Sequence, residues 1–149
     1  MNERVRVRFG EQVSVEEATK FVSDDSCGAI SVFVGVTRKD TLEDGVVKGL
    51  EFEAHVPLGT AVMTEIISDY LEEEPGVKKV YMCHRLGYVG VGDTNVVLAV
   101  SSAHRQVSMR AVEAIMHALK AKLPVWKKEV FENGQYVWKA NQECTLASN

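Results

Sequence analysis

The residues in this chain that are most suited to chemistry are basic side chains. They occur at four places: Arg38, His84-Arg85, His104-Arg105, and a lysine cluster of Lys120, Lys122, Lys127 and Lys128. Guanidinium, imidazole and ammonium groups bind phosphates and carboxylates, and imidazoles and amines also transfer protons. The chain has no GxGxxG, GxxxxGK[ST], HExxH or GxSxG motif, which disfavours dinucleotide binding, P-loop hydrolysis, zinc proteolysis and α/β-hydrolase chemistry.

The segment SSAHR, which ends at Arg105, is predicted to join an apolar strand to a helix. Free backbone N–H groups and the helix dipole favour an anion at a helix N-terminus, and His104 and Arg105 would complete a phosphate or carboxylate site there. Alternatively, Ser101 or Ser102 only caps the helix and Arg105 stays in solvent. His84 ends another apolar strand, either as a hydrogen-bonded structural residue or as a ligand or catalyst.

The segment LKAKLPVWKKE at 119–129 places lysines where a helix ends and a strand begins. We expect Trp126 to anchor the strand, and because side chains alternate along a strand, Lys127 should point away from Trp126 and Lys128. If Lys120 and Lys127 face one pocket, their repulsion should lower the pKa of at least one from ~10.4, which suits it to proton transfer or nucleophilic attack. The alternative is that these lysines complement the helix dipole and stay in water.

The spacing between the two basic groups of the long helix limits how they can act together. Arg105 and Lys120 are 15 residues apart, which at the helical rise corresponds to roughly 22 Å. One small ligand cannot touch both side chains within a single subunit. Either there are two sites, or a symmetric dimer brings the helix start of one subunit beside the helix end of the other. We favour the dimer as a hypothesis.

The elements that must position these residues are predicted from hydrophobic periodicity and turn signals. Strands are expected at 5–9, 28–36, 48–54, 79–86, 94–101, 125–131 and 136–139, and helices at 14–23, from Pro57 to Pro75, and from Ser102 or Ala103 to Pro124. The run at 28–36 is too apolar for an edge strand and is expected to be central, and 37–45 is expected to be a mobile loop. Irregular alternation favours an α+β fold, with residues 1–149 forming a single domain of a mostly antiparallel mixed sheet and packed helices.

Composition narrows the class of protein. The chain has 149 residues, of which 46% are hydrophobic and 26% charged, as expected for one domain with a core. Its net charge of -4 argues against nucleic acid or a membrane as partner, although the stretch from Ser101 to Lys128 carries +5. Cys27, Cys83 and Cys144 form no CxxC pair, which disfavours disulfides and structural zinc and predicts a reducing, cytosolic location. No apolar run approaches the ~20 residues of a membrane span.

Five motifs together indicate a family. They are GAISVFVGVTR at 28–38, LEFEAH at 50–55, HRLG at 84–87, SSAHR at 101–105 and LKAKLPVWKKE at 119–129. In their order and spacing the chain resembles the large, catalytic subunits of molybdopterin synthase over nearly its whole length, and its tail is most similar to eukaryotic members. The resemblance implies an α/β-hammerhead type of fold and a sulfurtransferase of molybdenum cofactor biosynthesis.

The resemblance also implies partners and a reaction. Family members form a homodimer that binds two copies of a small ubiquitin-like sulfur-carrier subunit, which makes a heterotetramer. Two sulfurs pass from the carrier's C-terminal thiocarboxylate to cyclic pyranopterin monophosphate, whose cyclic phosphate opens as the dithiolene of molybdopterin forms. The catalytic subunit needs no cofactor or metal of its own in this scheme, because the carrier brings the sulfur.

Residue by residue, the resemblance assigns catalysis to Lys120 and Lys127, and substrate binding to Arg38, Phe33, Met116, His104 and Arg105. His104 and Arg105 would come from the neighbouring subunit and would hold the phosphate and pterin with Arg38. As a hypothesis, Lys120 transfers a proton near the attacking thiocarboxylate and Lys127 stabilises developing negative charge. Some bacterial members have an arginine in the C-terminal segment, where the nearest position here is Asn141.

Two other classes of function fit the same basic residues. A non-catalytic adaptor could bind a ubiquitin-like C-terminal tail in a basic groove. A lysine Schiff-base enzyme could act on a phosphorylated carbonyl substrate with Lys120 as nucleophile. Neither needs a pterin, so an assay for dithiolene formation separates both from sulfur transfer.

Overall fold

The computed structural model describes residues 3–140, which form nine strands and three helices. The strands are β1 (Val5–Gly10), β2 (Ala29–Val36), β3 (Thr41–Leu42), β4 (Gly45–Ala54), β5 (Val77–Arg85), β6 (Gly87–Gly90), β7 (Thr94–Ser102), β8 (Val125–Phe131) and β9 (Tyr136–Ala140). The helices are α1 (Val15–Val22), α2 (Val56–Glu73) and α3 (Arg105–Lys122). Every predicted long strand and helix is present, and β3 and β6 are added.

The first sheet has the strand order β1-β5-β7-β2. β1 runs parallel to β5, whereas β7 is antiparallel to both of its neighbours. Helix α1 covers one face around Tyr81 and Val97, and α2 and α3 cover the other, where the main core lies around Met82 and Leu98. β7 is buried from Val96 to Ser102, as predicted for a strand that is covered on both faces.

The second sheet is antiparallel throughout. Its strand order is β3-β4-β8-β9, and β6 also pairs with β4. The α+β class and the mostly antiparallel pairing are confirmed, but the strands divide between two sheets rather than one. The division matters for function because it leaves a space between the sheets.

The prediction that β2 is a central strand is wrong. Within residues 3–140, β2 pairs with β7 alone and forms an edge of the first sheet. Val32 and Phe33 pack against the two cores, but Ile30, Val34 and Val36 remain 40%, 38% and 50% exposed. The residues that the structure describes therefore leave part of the apolar surface of this strand uncovered.

The segment at 37–45, predicted to be a loop, contains a short hairpin. Thr41 pairs with Val46 and Leu42 pairs with Gly45, whose φ of 131° is readily adopted only by glycine. The backbone N–H of Val47 also donates to the carbonyl of Asp40 at 2.8 Å. Polar turn-forming residues are as typical of tight hairpins as of open loops, so composition alone did not distinguish the two.

Candidate functional site

A cavity of about 470 Å³ lies between the two sheets and the C-terminal half of α3. Its apolar wall includes Val47, Leu50, Phe52, Leu119 and Leu123. The polar and charged residues that line it are Arg38, Asp40, His84, Asn95, Lys120, Lys127 and Glu129. An apolar wall with a few converging polar groups is typical of a small-molecule site, and three of these groups are cations.

Lys120 and Lys127 reach this cavity from different elements. Lys120 is an exposed residue in the last turn of α3, and Lys127 is a half-buried residue of β8. Buried Leu123 and Pro124 form the connection between helix and strand. Because this connection is short and fixed by burial, it directs two lysines that are seven positions apart in sequence into one space.

Burial is the main influence on Lys127. It lowers the pKa of the Lys127 ammonium from its ordinary value, because the charged form loses solvation. The Glu129 carboxylate partly offsets this effect, whereas the charge of Lys120 adds to it. Sequence reasoning thus anticipated a lowered lysine pKa but attributed it to repulsion, which is smaller than the effect of burial.

Glu129 is a wall residue that sequence reasoning did not single out. It is 6% exposed, and its Oε1 lies 2.6 Å from Nζ of Lys139 on β9. The strand period of two was the available signal, since it places Glu129 on the same face of β8 as Lys127. A buried carboxylate paired with a lysine in this way contributes negative charge beside the Lys127 ammonium.

Arg38 stands at the rim of the cavity on the segment that follows β2. Its Nε lies 2.9 Å from Oδ1 of Asp40, and its side chain is 82% exposed. The guanidinium keeps further donors for an anionic ligand, because one ion pair uses only part of its five N–H groups. Phe33 of β2 and Met116 of α3 are half-buried and supply apolar and aromatic surface to the same cavity.

His84 lines the cavity from the end of β5 and is also hydrogen-bonded within the chain. Its Nδ1 lies 2.8 Å from the carbonyl oxygen of Arg85. The ring meets Phe52 edge-on at 5.0 Å between centroids and Phe9 at 6.0 Å. Burial, assisted by the nearby charge of Lys120, lowers the pKa of His84 to about 4, so the imidazole is neutral at pH 7.

His104 and Arg105 lie at the opposite end of α3 and do not line the cavity of their own chain. His104 is the N-cap residue but makes no side-chain capping bond, and both residues are exposed. Oγ of buried Ser102 instead accepts the backbone N–H of Ser108 at 3.0 Å. The structure therefore brings together five of the seven predicted site residues and leaves this pair on a separate surface.

The prediction that Trp126 anchors β8 is wrong. Trp126 is 37% exposed, whereas Val125 and Phe131 are buried. The inward face of β8 is thus the one opposite to Trp126, and it carries Lys127. Asn141, the position where some family members have arginine, lies outside the described residues.

Within residues 3–140, no group of three or more His, Cys, Asp and Glu side chains is arranged to hold a metal ion. Cys27 and Cys83 are free, and neither lines the cavity. In the same part of the chain no helix has the length and apolar character needed to cross a membrane. The site is therefore described by its three cations, its two carboxylates, His84 and Asn95.

The fold and the site define an α+β protein with a basic cavity between two sheets, and known proteins are similar to it in sequence and in fold. Residues 10–122 match the family model described as MoaE protein. The Homo sapiens molybdopterin synthase catalytic subunit is 45% identical over 139 residues, which cover 93% of this chain and 72% of the human protein. The crystal structure of molybdopterin synthase from Staphylococcus aureus matches with a TM-score of 0.83 at 30% identity, covering 93% of this chain and 98% of that one.

A third similarity concerns the fold alone. A complex of subunits 1 and 2 of molybdopterin-converting factor from Helicobacter pylori contains a chain that matches with a TM-score of 0.72 at 21% identity, covering 94% of this chain and 92% of that one. The chain belongs to the MoaE protein family.

Proposed function

We propose that this chain performs the reaction of the molybdopterin synthase catalytic subunits. It transfers sulfur from the C-terminal thiocarboxylate of a small ubiquitin-like carrier to cyclic pyranopterin monophosphate and so forms the dithiolene of molybdopterin. The observation that carries the proposal is the convergence of Lys120 and Lys127 on one cavity, with a lowered pKa at Lys127. The human relative is named a catalytic subunit, which favours an enzyme over an adaptor.

The two lysines have different environments and therefore different proposed roles. Lys127 is half-buried, so water screens its charge weakly and it stabilises negative charge that develops on the reacting groups. Glu129 beside it favours the charged form. Lys120 is exposed at the end of α3, where an incoming thiocarboxylate can meet it, and it is the proton-transfer residue.

The remaining cavity residues are proposed to bind substrate. Arg38 at the rim carries exposed donors for the phosphate. Phe33 and Met116 provide half-buried surface against which a flat pterin ring can pack. The pterin ring is thus assigned to the apolar wall of the cavity, and the phosphate to the cation at its rim.

We infer that a second copy of the chain completes the site, since His104 and Arg105 lie outside their own cavity. The exposed edge strand β2 supplies the geometry. If two β2 strands pair antiparallel about a two-fold axis, the Ala29 end of one meets the Val36 end of the other. Ala29 pairs with Ser102, close to His104, whereas Val36 lines the cavity. The pairing would carry His104 and Arg105 of one copy towards the cavity of the other.

The proposed assembly is a homodimer of this chain with two carrier subunits, a heterotetramer in which each carrier tail enters one cavity. We also propose that residues 1–149 form a single domain that acts in the cytosol. The free thiols of Cys27 and Cys83 support that compartment, because a reducing environment keeps thiols unpaired. The negative charge of the chain as a whole gives no support to a nucleic acid or membrane partner.

Reconstitution tests the function directly. The purified protein is incubated with thiocarboxylated carrier and cyclic pyranopterin monophosphate, and dithiolene is measured. We expect product only when all three are present. Absence of dithiolene with every component intact would contradict the proposed function, and trapping of a carbonyl substrate on Lys120 by borohydride would support the Schiff-base alternative.

Lys120→Ala tests the assignment of proton transfer. We expect product formation to fall at least about 100-fold, because general acid–base catalysis is lost, while carrier affinity stays unchanged. Lys122→Ala is the matched control, since Lys122 is an exposed lysine in the same last turn of α3 and does not line the cavity. Turnover near wild type in Lys120→Ala would remove this residue from the mechanism.

A further inference from the structure

Among the charged side chains of the cavity, most hydrogen-bonding groups are donors or carry negative charge. Its cations, Arg38, Lys120 and Lys127, can only donate. The Asp40 carboxylate lies 2.9 Å from Arg38, and the Glu129 carboxylate lies 2.6 Å from Lys139. A pterin ring presents N–H donors as well as acceptors, and a donor that is buried without an acceptor costs binding free energy. A neutral acceptor near the ring satisfies such a donor, and the lining side chains that carry one are Asn95, whose Nδ2 donates to Thr37, and His84.

His84 has such an acceptor. The carbonyl oxygen of Arg85 can only accept, so Nδ1 of His84, 2.8 Å away, carries the proton and donates it to that bond. Nε2 is then unprotonated, and within residues 3–140 no hydrogen-bond partner of Nε2 is found. His84 lines the cavity, so its remaining lone pair is a neutral acceptor of a kind that the cations cannot supply.

The imidazole is also held in place. Phe52 meets its ring edge-on at 5.0 Å and Phe9 lies 6.0 Å away. Phe9 in turn rests on Gly59 of α2, where a Cβ atom would come within 2.6 Å of the Phe9 ring. Protonation of the imidazole is opposed by burial and by the charge of Lys120. Nε2 is thus a fixed acceptor rather than a mobile or charged one.

We propose that His84 is a specificity-determining residue, whose Nε2 accepts a hydrogen bond from an N–H group of the pterin ring. The inference rests on the proposed function. It adds a contact to the pterin ring, whereas Arg38 and the lysines interact with negative charge. The thiocarboxylate group at the end of the carrier offers no donor to Nε2, so this contact selects for the pterin ring and not for the sulfur-bearing group.

Two substitutions separate the acceptor from the rest of the imidazole. The amide of His84→Asn can still donate to the Arg85 carbonyl but is too short to replace Nε2, whereas His84→Gln extends an amide oxygen to that position. We expect the KM for the pterin to rise about tenfold in His84→Asn and to stay within about threefold of wild type in His84→Gln. The KM for the carrier should be unchanged in both. His55→Asn is the matched control, because His55 is an exposed N-cap that asparagine can replace.

The outcomes distinguish this inference from the function on which it rests. Wild-type protein that makes dithiolene, together with a pterin KM in His84→Asn within twofold of wild type, would overturn the role of His84 alone. A parallel rise in the KM for pterin and carrier would also overturn it, since that pattern indicates a structural defect. Wild-type protein that makes no dithiolene would contradict the proposed function instead.

Nitrogen-15 NMR of the wild-type imidazole tests the contact without any variant that could misfold. We expect the Nε2 resonance of free protein to be that of an unprotonated nitrogen, and to move towards the hydrogen-bonded range when cyclic pyranopterin monophosphate is added. Inorganic phosphate alone should leave it in place. An Nε2 resonance that the pterin does not move would overturn the proposal.

Discussion

Lys127 and Lys128 are consecutive residues of one strand, yet they occupy opposite surroundings. Lys127 points into the cavity, where burial lowers its pKa. Lys128 points outwards, with Nζ 3.2 Å from Oε2 of Glu51 and over the rings of Tyr136 and Trp138 at 4.1 and 5.5 Å. The comparison teaches that the alternation of a strand, rather than the residue type, separates a candidate catalytic lysine from a structural one.

The two faces also differ in how completely the charge is satisfied. Cross-strand register places Glu51 and Trp138 directly opposite Lys128, so its ammonium has an anion and aromatic rings beside it. Lys127 has Glu129 nearby, but that carboxylate is already 2.6 Å from Lys139. An ammonium with an incompletely matched charge can interact strongly with a ligand, whereas one that is already paired gains little.

The largest expected effect is on catalysis. Lys127→Met should lower dithiolene formation at least about 100-fold, because a preorganised charge in the cavity is lost. Lys128→Met, the same change at the adjacent position, should leave the rate within about threefold, since Lys128 does not line the cavity. Steady-state assays with saturating carrier measure both rates. Equal losses in the two variants would mean that the two faces of β8 do not differ in function.

Mixed dimers extend the comparison across the proposed two-fold axis. Arg105→Ala should raise the KM for the pterin, and at a pterin concentration far below that raised KM, co-expression of Arg105→Ala with Lys127→Met should recover about a quarter of wild-type activity. The reason is that half of the random dimers are mixed and each contains one intact site of two. Activity is compared with that of each variant alone. If mixing recovers nothing, Arg105 and Lys127 do not meet across subunits.

The cavity face should also carry pH dependence through His84. The unfolded chain protonates His84 below about pH 6.5, whereas the folded chain does so only near 4. The free energy of unfolding should therefore fall as pH drops through this window, by at most about 3 kcal/mol from His84. Urea unfolding at pH 7 and pH 4 should show a smaller drop in His84→Gln than in wild type.

Lys128→Met is the control for that measurement, because Lys128 lies on the opposite face of β8 from Lys127 and does not line the cavity. Its loss of stability on acidification should parallel that of wild type. A His84→Gln curve that parallels wild type as well would show that His84 titrates normally in the folded protein.

The smallest effect is on stability at neutral pH, and its sign should differ between the two lysines. Lys127→Met should raise the free energy of unfolding by about 1 kcal/mol, since a poorly solvated charge is replaced by an apolar chain of similar length. Lys128→Met should lower it by about 1 kcal/mol or less, because a surface ion pair and its ring contacts are lost. Thermal and urea unfolding measure both changes. Changes in the free energy of unfolding that have the same sign in both variants would contradict the difference proposed between Lys127 and Lys128.

Local pattern predicted much of the architecture. The alternation at Val5–Gly10, the helical stripe of α3 and the Asn133-Gly134 turn between β8 and β9 all lie where the sequence indicated. The same reasoning failed for β2, because an apolar run does not show whether a strand pairs with neighbours on one side or on both. It failed for Trp126, because hydrophobicity alone does not decide which face of a strand is buried.

The candidate site was predicted as residue types but not as an arrangement. Sequence reasoning separated Lys127 from Lys128 by strand period and recognised that Arg105 and Lys120 cannot share a ligand within one chain. It left His84 undecided and did not consider Glu129. The functional setting of both depends on neighbours distant in sequence, such as Phe9 for His84 and Lys139 for Glu129.

The sequence by itself determined the elements, the family and the separation of basic residues along α3, because these depend on periodicity and spacing within short segments. Only the tertiary structure decided that the strands form two sheets with a cavity between them, that β2 lies at an edge, and that burial is the main influence on Lys127 and His84. Strand pairing and desolvation arise from contacts between residues far apart in the chain, and no local pattern encodes them.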